Sequence, residues 1–199
     1  PVERFQASAE SLLAGLGTKN WLDAASAIMT TDTRQKIACR VVRFGSRVIK
    51  LTGIAKGAGM LQPNMATMLC FIGCDAKVQQ ETLQDMLRAA ADLSLNRITV
   101  DSDTSTNDAV VLMATGRSVV DLDEDVEAQA EFQDALTDLM LELAHGLVRD
   151  GEGATKFVTV QVAGAETHAQ ALEIAFSVAN SPLMKTALFA SDANWGRLA

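Results

Sequence analysis

The chain has 199 residues, which suits one domain of ordinary size, and 48% of them are hydrophobic, enough to form a substantial core. Its 25 acidic side chains outnumber 17 basic ones, so the net charge is -8. Nucleic acids and anionic membranes attract clustered lysine and arginine, so this balance argues against both as partners. No apolar run approaches the roughly 18 residues of a membrane span. The absence of an initial methionine and the abrupt C-terminal end lead us to expect part of a longer chain.

The first quarter of the chain predicts two helices followed by a β-hairpin. Apolar residues at helical spacing indicate helices over residues 3–16 and 21–29. Two runs rich in β-branched residues follow at 37–44 and 47–54, and Gly45-Ser46 between them is a hairpin signal.

The remainder alternates strands and helices. In chain order we predict a strand at 67–73, a helix at 79–95, a strand at 109–114, a helix at 128–148, a strand at 157–162 and a helix at 168–179. The alternation indicates the α/β (α+β) class.

The three cysteines predict reduced thiols in a cytoplasmic protein. An odd count without framework spacing argues against disulfides. Cys70 and Cys74 are spaced C-x3-C, but zinc needs about four compactly spaced ligands, and none of the right type follows. We therefore interpret the pair as buried strand residues and predict no metal.

Four polar, glycine-punctuated stretches interrupt the core pattern, at residues 56–60, 63–67, 100–108 and 150–156. Loops that carry specific polar residues are often functional. The glycines at 57 and 59 allow close approach of backbone to a ligand, but the stretch matches neither the P-loop nor the dinucleotide-binding pattern. Asp101, Asp103 and Asp108 lack the glycine and closing glutamate of a calcium loop, so we expect them to organise turns behind Thr67.

Thr67 follows a small residue, Ala66, and opens a predicted strand. An isolated threonine in this position is normally an ordinary strand residue. If the Ala66–Thr67 bond were cleaved by the Thr67 hydroxyl, however, Thr67 would gain a free α-amine with a pKa near 7.7–8.0, suited to act as its base. Spacing alone does not establish this.

Five long motifs together resemble one enzyme family. They are IMTTDT (28–33), GIAKGAGMLQPNMATML (53–69), NRITVDSDTSTND (96–108), VRDGEGATKF (148–157) and ANSPLMKTALFASDANWGR (179–197). In this order they resemble the ornithine acetyltransferase, or glutamate N-acetyltransferase, family of arginine biosynthesis.

The resemblance implies transfer of an acetyl group from N-acetylornithine to glutamate through an acetyl-threonine, without a cofactor; some members also use acetyl-CoA. It implies self-cleavage between Ala66 and Thr67, so that residues 1–66 end an α chain and 67–199 begin a β chain of one catalytic domain. Thr67 would be the nucleophile and touch substrate. Lys56, Glu152, and Thr30 or Thr31, would be the other substrate-binding residues.

The resemblance further implies an α/β/β/α sandwich, like that of N-terminal-nucleophile hydrolases but differently connected, and a cytoplasmic α2β2 heterotetramer. Family chains are about twice this length. The family's upstream Thr-Gly oxyanion pair and downstream binding Asn and Thr have no counterpart here. Ser102 stands where the family more often has Gly, and Ala190 and Ala193 where Gly and Pro are common.

Two alternatives stay open. A related N-terminal-nucleophile amidohydrolase or aminopeptidase would use Thr67 with water as acceptor. A non-catalytic fragment would keep the Ala66–Thr67 bond intact.

Overall fold

A computed structural model of the chain describes residues 2–61 and 68–198. Two helices, α1 (Val2–Ala14) and α2 (Trp21–Ala27), precede an antiparallel hairpin of β1 (Lys36–Phe44) and β2 (Arg47–Lys56). Phe44 pairs with Arg47 across Gly45-Ser46, and Gly45 has φ +62°, a conformation that glycine adopts without strain. The predicted hairpin is confirmed.

The sheet continues with β3 (Leu69–Cys74), antiparallel to β2, and β4 (Ala109–Ala114), parallel to β3. Parallel neighbours need a crossover connection, and α3 (Gln80–Leu93) lies within it. The strand order is therefore β1-β2-β3-β4.

The long helix α4 (Val126–Arg149) packs against β1, β2 and α3 and supplies much of the core. Asp125 caps its N-terminus, and the Asp125 side chain accepts a hydrogen bond from the Ala128 N–H at 3.0 Å. Its buried face includes Phe132, Leu136, Leu139, Met140, Leu143 and Leu147. A Cβ on Gly53 of β2 would lie 2.8 Å from Leu139 Cδ2, so this glycine permits the close approach of helix and sheet.

The mixed α/β class is confirmed: the described residues form one four-stranded sheet with α3 and α4 packed on it. The predicted strand at 157–162 is wrong, because that segment has no strand partner within the described residues. An alternating pattern forms a strand only when a neighbour supplies hydrogen bonds and packing. Two further α-helices follow, α5 (His168–Asn180) and α6 (Pro182–Phe189), and then a short 3₁₀-helix at Trp195–Arg197.

Cys70 and Cys74 lie buried in β3, as predicted, and burial raises the pKa of Cys70 to about 12 and that of Cys74 to about 11. Both thiols are therefore protonated at neutral pH and behave as small apolar side chains. Cys39, on β1, is exposed.

Within residues 2–61 and 68–198, no three or more His, Cys, Asp or Glu side chains lie close enough together to hold a metal ion. Within the same residues, no helix combines the length and the hydrophobicity that crossing a membrane requires. The absence of a metal requirement stays a prediction.

Candidate functional site

The strand register gathers the polar loops at one end of the sheet. Lys36, which begins β1, pairs with Ala55 near the end of β2, and Lys56 pairs with Leu69, the first residue of β3. Leu69 in turn pairs with Ala109, the first residue of β4. The loops before β1, after β2, before β3 and before β4 therefore all emerge at the same end.

Thr30 and Lys56, both predicted to bind substrate, are brought together here. Lys56 is 7% exposed, and its ammonium donates to Thr30 Oγ1 over a long 3.5 Å. Among the residues that the structure describes, the ion pairs involve other lysines and arginines, not Lys56. A surface ion pair, the ordinary alternative for Lys56, therefore does not occur within this part of the chain. An ammonium that is buried and has no carboxylate partner in residues 2–61 and 68–198 is suited to an anionic ligand.

Glu152 reaches the same loop from the end of α4. Its backbone N–H donates to the Ala58 carbonyl at 2.7 Å. Its carboxylate lies against Gly59, where an added Cβ would be 3.1 Å from Glu152 Oε1. The same Cβ would be 3.6 Å from Asp101 Oδ2, so both acidic side chains border residue 59. The backbone of residues 58–59 therefore touches Glu152 directly.

Two aspartates of the acidic loop at 101–108 bind backbone groups; that the loop organises turns behind Thr67 stays a prediction. The Asp101 carboxylate accepts hydrogen bonds from the N–H groups of Met60 and of Leu61, the latter at 3.0 Å. The Asp108 carboxylate accepts from the Met68 N–H at 2.5 Å. These two aspartates thus fix the residues on both sides of 62–67. Ala66 and Thr67, the predicted cleavage site and nucleophile, lie outside the described residues.

A buried ionic cluster of Asp32, Lys36 and Asp150 lies beneath these loops, and sequence reasoning missed it. The Lys36 ammonium bonds both carboxylates, and all three side chains are at most 3% exposed. Asp32 and Asp150 stand inside motifs quoted above. Lys36 is two residues from Ala38, which is buried, so strand alternation could have indicated an inward-facing lysine.

Hydrogen bonds lower the pKa of both carboxyls in this cluster. Burial alone would raise the pKa of Asp32, but bonds from the Gly57 N–H, the Lys36 ammonium and the Thr30 N–H outweigh it, and the net pKa lies below the ordinary 3.8. Burial would likewise raise the pKa of Asp150, but hydrogen bonds from Lys36 and Thr33 outweigh this effect, and its pKa is also lowered. Both groups are therefore ionised at neutral pH.

Ser102 has φ +69°, in the left-handed region that favours glycine. Glycine, which the resemblance led us to expect at this position, adopts such a conformation without strain. Serine there keeps the turn at a cost of about 1 kcal/mol. Ala190, by contrast, has φ -72°, which any residue adopts.

Comparison with known proteins supports the motif-based resemblance. The chain is 52% identical over 202 residues to the arginine biosynthesis bifunctional protein ArgJ of Pseudomonas syringae pv. tomato, covering 100% of this chain and 49% of that protein. It is 48% identical to the ArgJ protein of Pseudomonas fluorescens, with 100% and 49% covered. The chain thus spans about half the length of these curated relatives.

A solved structure is similar as well. The crystal structure of the arginine biosynthesis bifunctional protein argJ of Bacillus halodurans matches with a TM-score of 0.56 and 44% identity, over 62% of this chain and 59% of that one. The family model described as the ArgJ family matches residues 1–199. The chain therefore belongs to the ArgJ family.

Proposed function

We propose that this chain carries the cleavage site and part of the substrate site of an acetyltransferase of arginine biosynthesis, which moves an acetyl group from N-acetylornithine to glutamate. The observation that carries the proposal is that Lys56 contacts Thr30, and Glu152 contacts residues 58–59 just after Lys56, at the sheet end where β3 begins, two residues after Thr67. A buried cation and a carboxylate in adjacent loops are complementary to an amino acid, which carries both opposite charges.

The first step is self-cleavage. The Thr67 hydroxyl attacks the Ala66 carbonyl, the acyl group moves from the Thr67 nitrogen to its oxygen, and water hydrolyses the resulting ester. Ala66 is left with a carboxylate and Thr67 with a free α-amine. Because the pKa of an α-amine is about 7.7–8.0, it can accept the hydroxyl proton near neutral pH.

Acetyl transfer then follows in two halves. Thr67 Oγ attacks the acetyl carbonyl of N-acetylornithine, the amide C–N bond breaks, and the α-amine of Thr67 passes its proton to the departing ornithine. The glutamate amine next attacks the acetyl ester and restores the hydroxyl. Lys56 would bind the substrate carboxylate as a point charge, and Glu152 would pair with the ammonium of ornithine.

Three further properties belong to the proposal. The relatives are named bifunctional, which supports acetyl-CoA as a second acetyl donor. We place the enzyme in the cytoplasm, where free thiols such as Cys39 stay reduced. We also propose that the cleaved chains assemble as an α2β2 heterotetramer.

Intact mass spectrometry of the full-length protein tests the nucleophile. We expect wild type to separate into two chains divided between Ala66 and Thr67, and Thr67→Ala to stay whole. Brief incubation with N-acetylornithine should add the mass of one acetyl group to the chain that begins with Thr67. A wild type that never divides refutes the assignment and favours a non-catalytic role.

Product analysis separates acetyl transfer from hydrolysis. With N-acetylornithine and glutamate present, we expect N-acetylglutamate to form at the rate at which ornithine is released. Free acetate at that rate, with no N-acetylglutamate, would instead indicate an amidohydrolase.

The substrate contacts are tested by Lys56→Met, with Lys50→Met as the matched control. Both lysines lie on β2, but Lys50 is exposed. Loss of one charge-assisted hydrogen bond is worth about 1.5–3 kcal/mol, so we expect kcat/KM to fall at least tenfold for Lys56→Met only. Equal effects of the two substitutions would contradict the assigned role.

A further inference from the structure

The ionic cluster of Asp32, Lys36 and Asp150 satisfies every donor of its buried ammonium. Lys36 Nζ donates to Asp32, to Asp150 and, at 3.2 Å, to the Gly57 carbonyl. A lysine ammonium has three N–H donors, so the three acceptors account for all of them. The geometry of this cluster is therefore fixed by bonds in three directions.

One side of the cluster holds the loops that carry Thr30 and Lys56. Asp32 accepts from the Thr30 N–H at 3.2 Å and from the Gly57 N–H at 2.7 Å. Both the N–H and the carbonyl of Gly57, the residue after Lys56, are thus bound by the cluster. Gly57 has φ +147°, which other residues rarely adopt, so its backbone is held in a glycine-specific conformation.

The other side of the cluster holds the loop that carries Glu152. Asp150 follows the last residue of α4 and accepts bonds from the Thr33 hydroxyl and from the Thr33 N–H at 3.0 Å. Glu152 lies two residues further on. Lys36 therefore connects the Glu152 loop with the loops of Thr30 and Lys56 through direct bonds.

The helix α4 also makes room for this lysine. A Cβ on Gly146 would lie 3.1 Å from Lys36 Cγ. Glycine inside a helix costs about 1 kcal/mol relative to alanine, and here it lets the aliphatic part of the lysine pass. The helix and the buried lysine are thus fitted to each other.

Stability alone does not explain such a cluster. Replacing buried ion pairs by apolar side chains of similar volume is often neutral or stabilising, because desolvation offsets the attraction between the charges. Apolar side chains, however, cannot fix the direction of backbone N–H and carbonyl groups. The property specific to Asp32, Lys36 and Asp150 is that they bind the backbone of the loops before β1 and after β2, while Asp150 itself begins the loop that carries Glu152.

We infer that Asp32, Lys36 and Asp150 are positioning residues that set Thr30, Lys56 and Glu152 at the spacing an amino-acid substrate requires. The inference rests on the proposed function, because that function makes these three residues substrate contacts. The cluster acts through them and does not itself touch substrate.

The test uses Asp32→Asn in the full-length enzyme. The substitution keeps the size of the side chain, but one amide oxygen cannot accept from Thr30, Gly57 and Lys36 as two carboxylate oxygens do. We expect KM for N-acetylornithine to rise about ten- to hundredfold, because displacing Lys56 would weaken a charge-assisted hydrogen bond worth about 1.5–3 kcal/mol. We expect kcat to change less, and self-cleavage to continue.

The matched control is Arg40→Met. Arg40 also joins β1 to α4, through Asp138 at 3.0 Å and Glu142 at 2.8 Å, but this ion pair lies on the surface away from the loops. We expect its KM to equal that of wild type. Lys36→Met is a second variant, and we expect a KM at least as high as that of Asp32→Asn.

Each outcome decides between positioning and stability. A wild-type KM for Asp32→Asn, or a failure of both cluster variants to fold, would assign the cluster to stability and overturn the inference. The proposed function fails separately, if the wild-type enzyme neither divides at Thr67 nor forms N-acetylglutamate.

Discussion

Gly59→Ala probes the contact between the loop after β2 and Glu152. The added Cβ would lie 3.1 Å from Glu152 Oε1 and 3.2 Å from Glu152 Cδ, so the carboxylate must shift by a few tenths of an ångström. Gly59 does not have a positive φ, so alanine fits its backbone. We therefore expect the free energy of unfolding to change by less than about 1 kcal/mol.

The effect should appear in substrate binding instead. A charge-assisted hydrogen bond is worth about 1.5–3 kcal/mol, and a small displacement removes part of it. We expect kcat/KM for N-acetylornithine to fall about three- to tenfold, mainly through KM. The matched control is Gly196→Ala, whose Cβ would meet only Asn194 Oδ1, at an ordinary 3.6 Å.

A double-mutant cycle with Glu152→Gln identifies the cause. If Gly59→Ala acts by displacing the Glu152 charge, it should have little further effect once that charge is gone. Steady-state kinetics of wild type, both single variants and the double variant measure this. Additive losses in the double variant, or an unchanged KM for Gly59→Ala, would refute the reasoning.

Two further predictions concern stability. The pKa values of Asp32 and Asp150 in the folded protein lie below the ordinary 3.8. Their contribution to the free energy of unfolding is therefore complete above the pKa of the unfolded chain, and it is lost as pH falls through the pKa values of the folded protein. Below about pH 4, each carboxyl should make the free energy of unfolding fall by up to about 1.4 kcal/mol per pH unit, which denaturant titration at several pH values measures. Asp150→Asn should remove the contribution of Asp150 to this pH dependence. Ser102→Gly should raise the free energy of unfolding by about 1 kcal/mol by relieving the positive φ; a lower melting temperature would contradict that explanation.

Local patterns predicted the elements better than the contacts between them. The hairpin follows from two runs rich in β-branched residues around Gly45-Ser46, and β4 follows from an apolar run with its predicted bounds, Ala109–Ala114. The segment at 157–162 has a comparable pattern but lacks a partner in the described residues, and periodicity carries no information about partners.

In the candidate site, too, the sequence predicts individual residues but not the contacts between them. The motifs that carry the family resemblance predict Thr30, Lys56 and Glu152 as substrate-binding residues, and these roles stay a prediction. The cluster beneath them joins Lys36 to Asp150 across 114 positions of sequence, and isolated charged residues are normally expected in solvent. Only the register of β1 against β2 and the packing of α4 bring these charges together.

The position of the proposed cleavage bond within the sheet has a structural consequence. Strands β1 and β2 precede Ala66, whereas β3, β4 and α4 follow Thr67. Pairing of β2 with β3 and packing of α4 on β1 and β2 would therefore join the two products across the cut. Asp101 binds the backbone on one side of 62–67 and Asp108 binds it on the other. Because α4 and the 101–108 loop come after the cut, while Thr30 and Lys56 come before it, a substrate site with Glu152 needs both products to stay together.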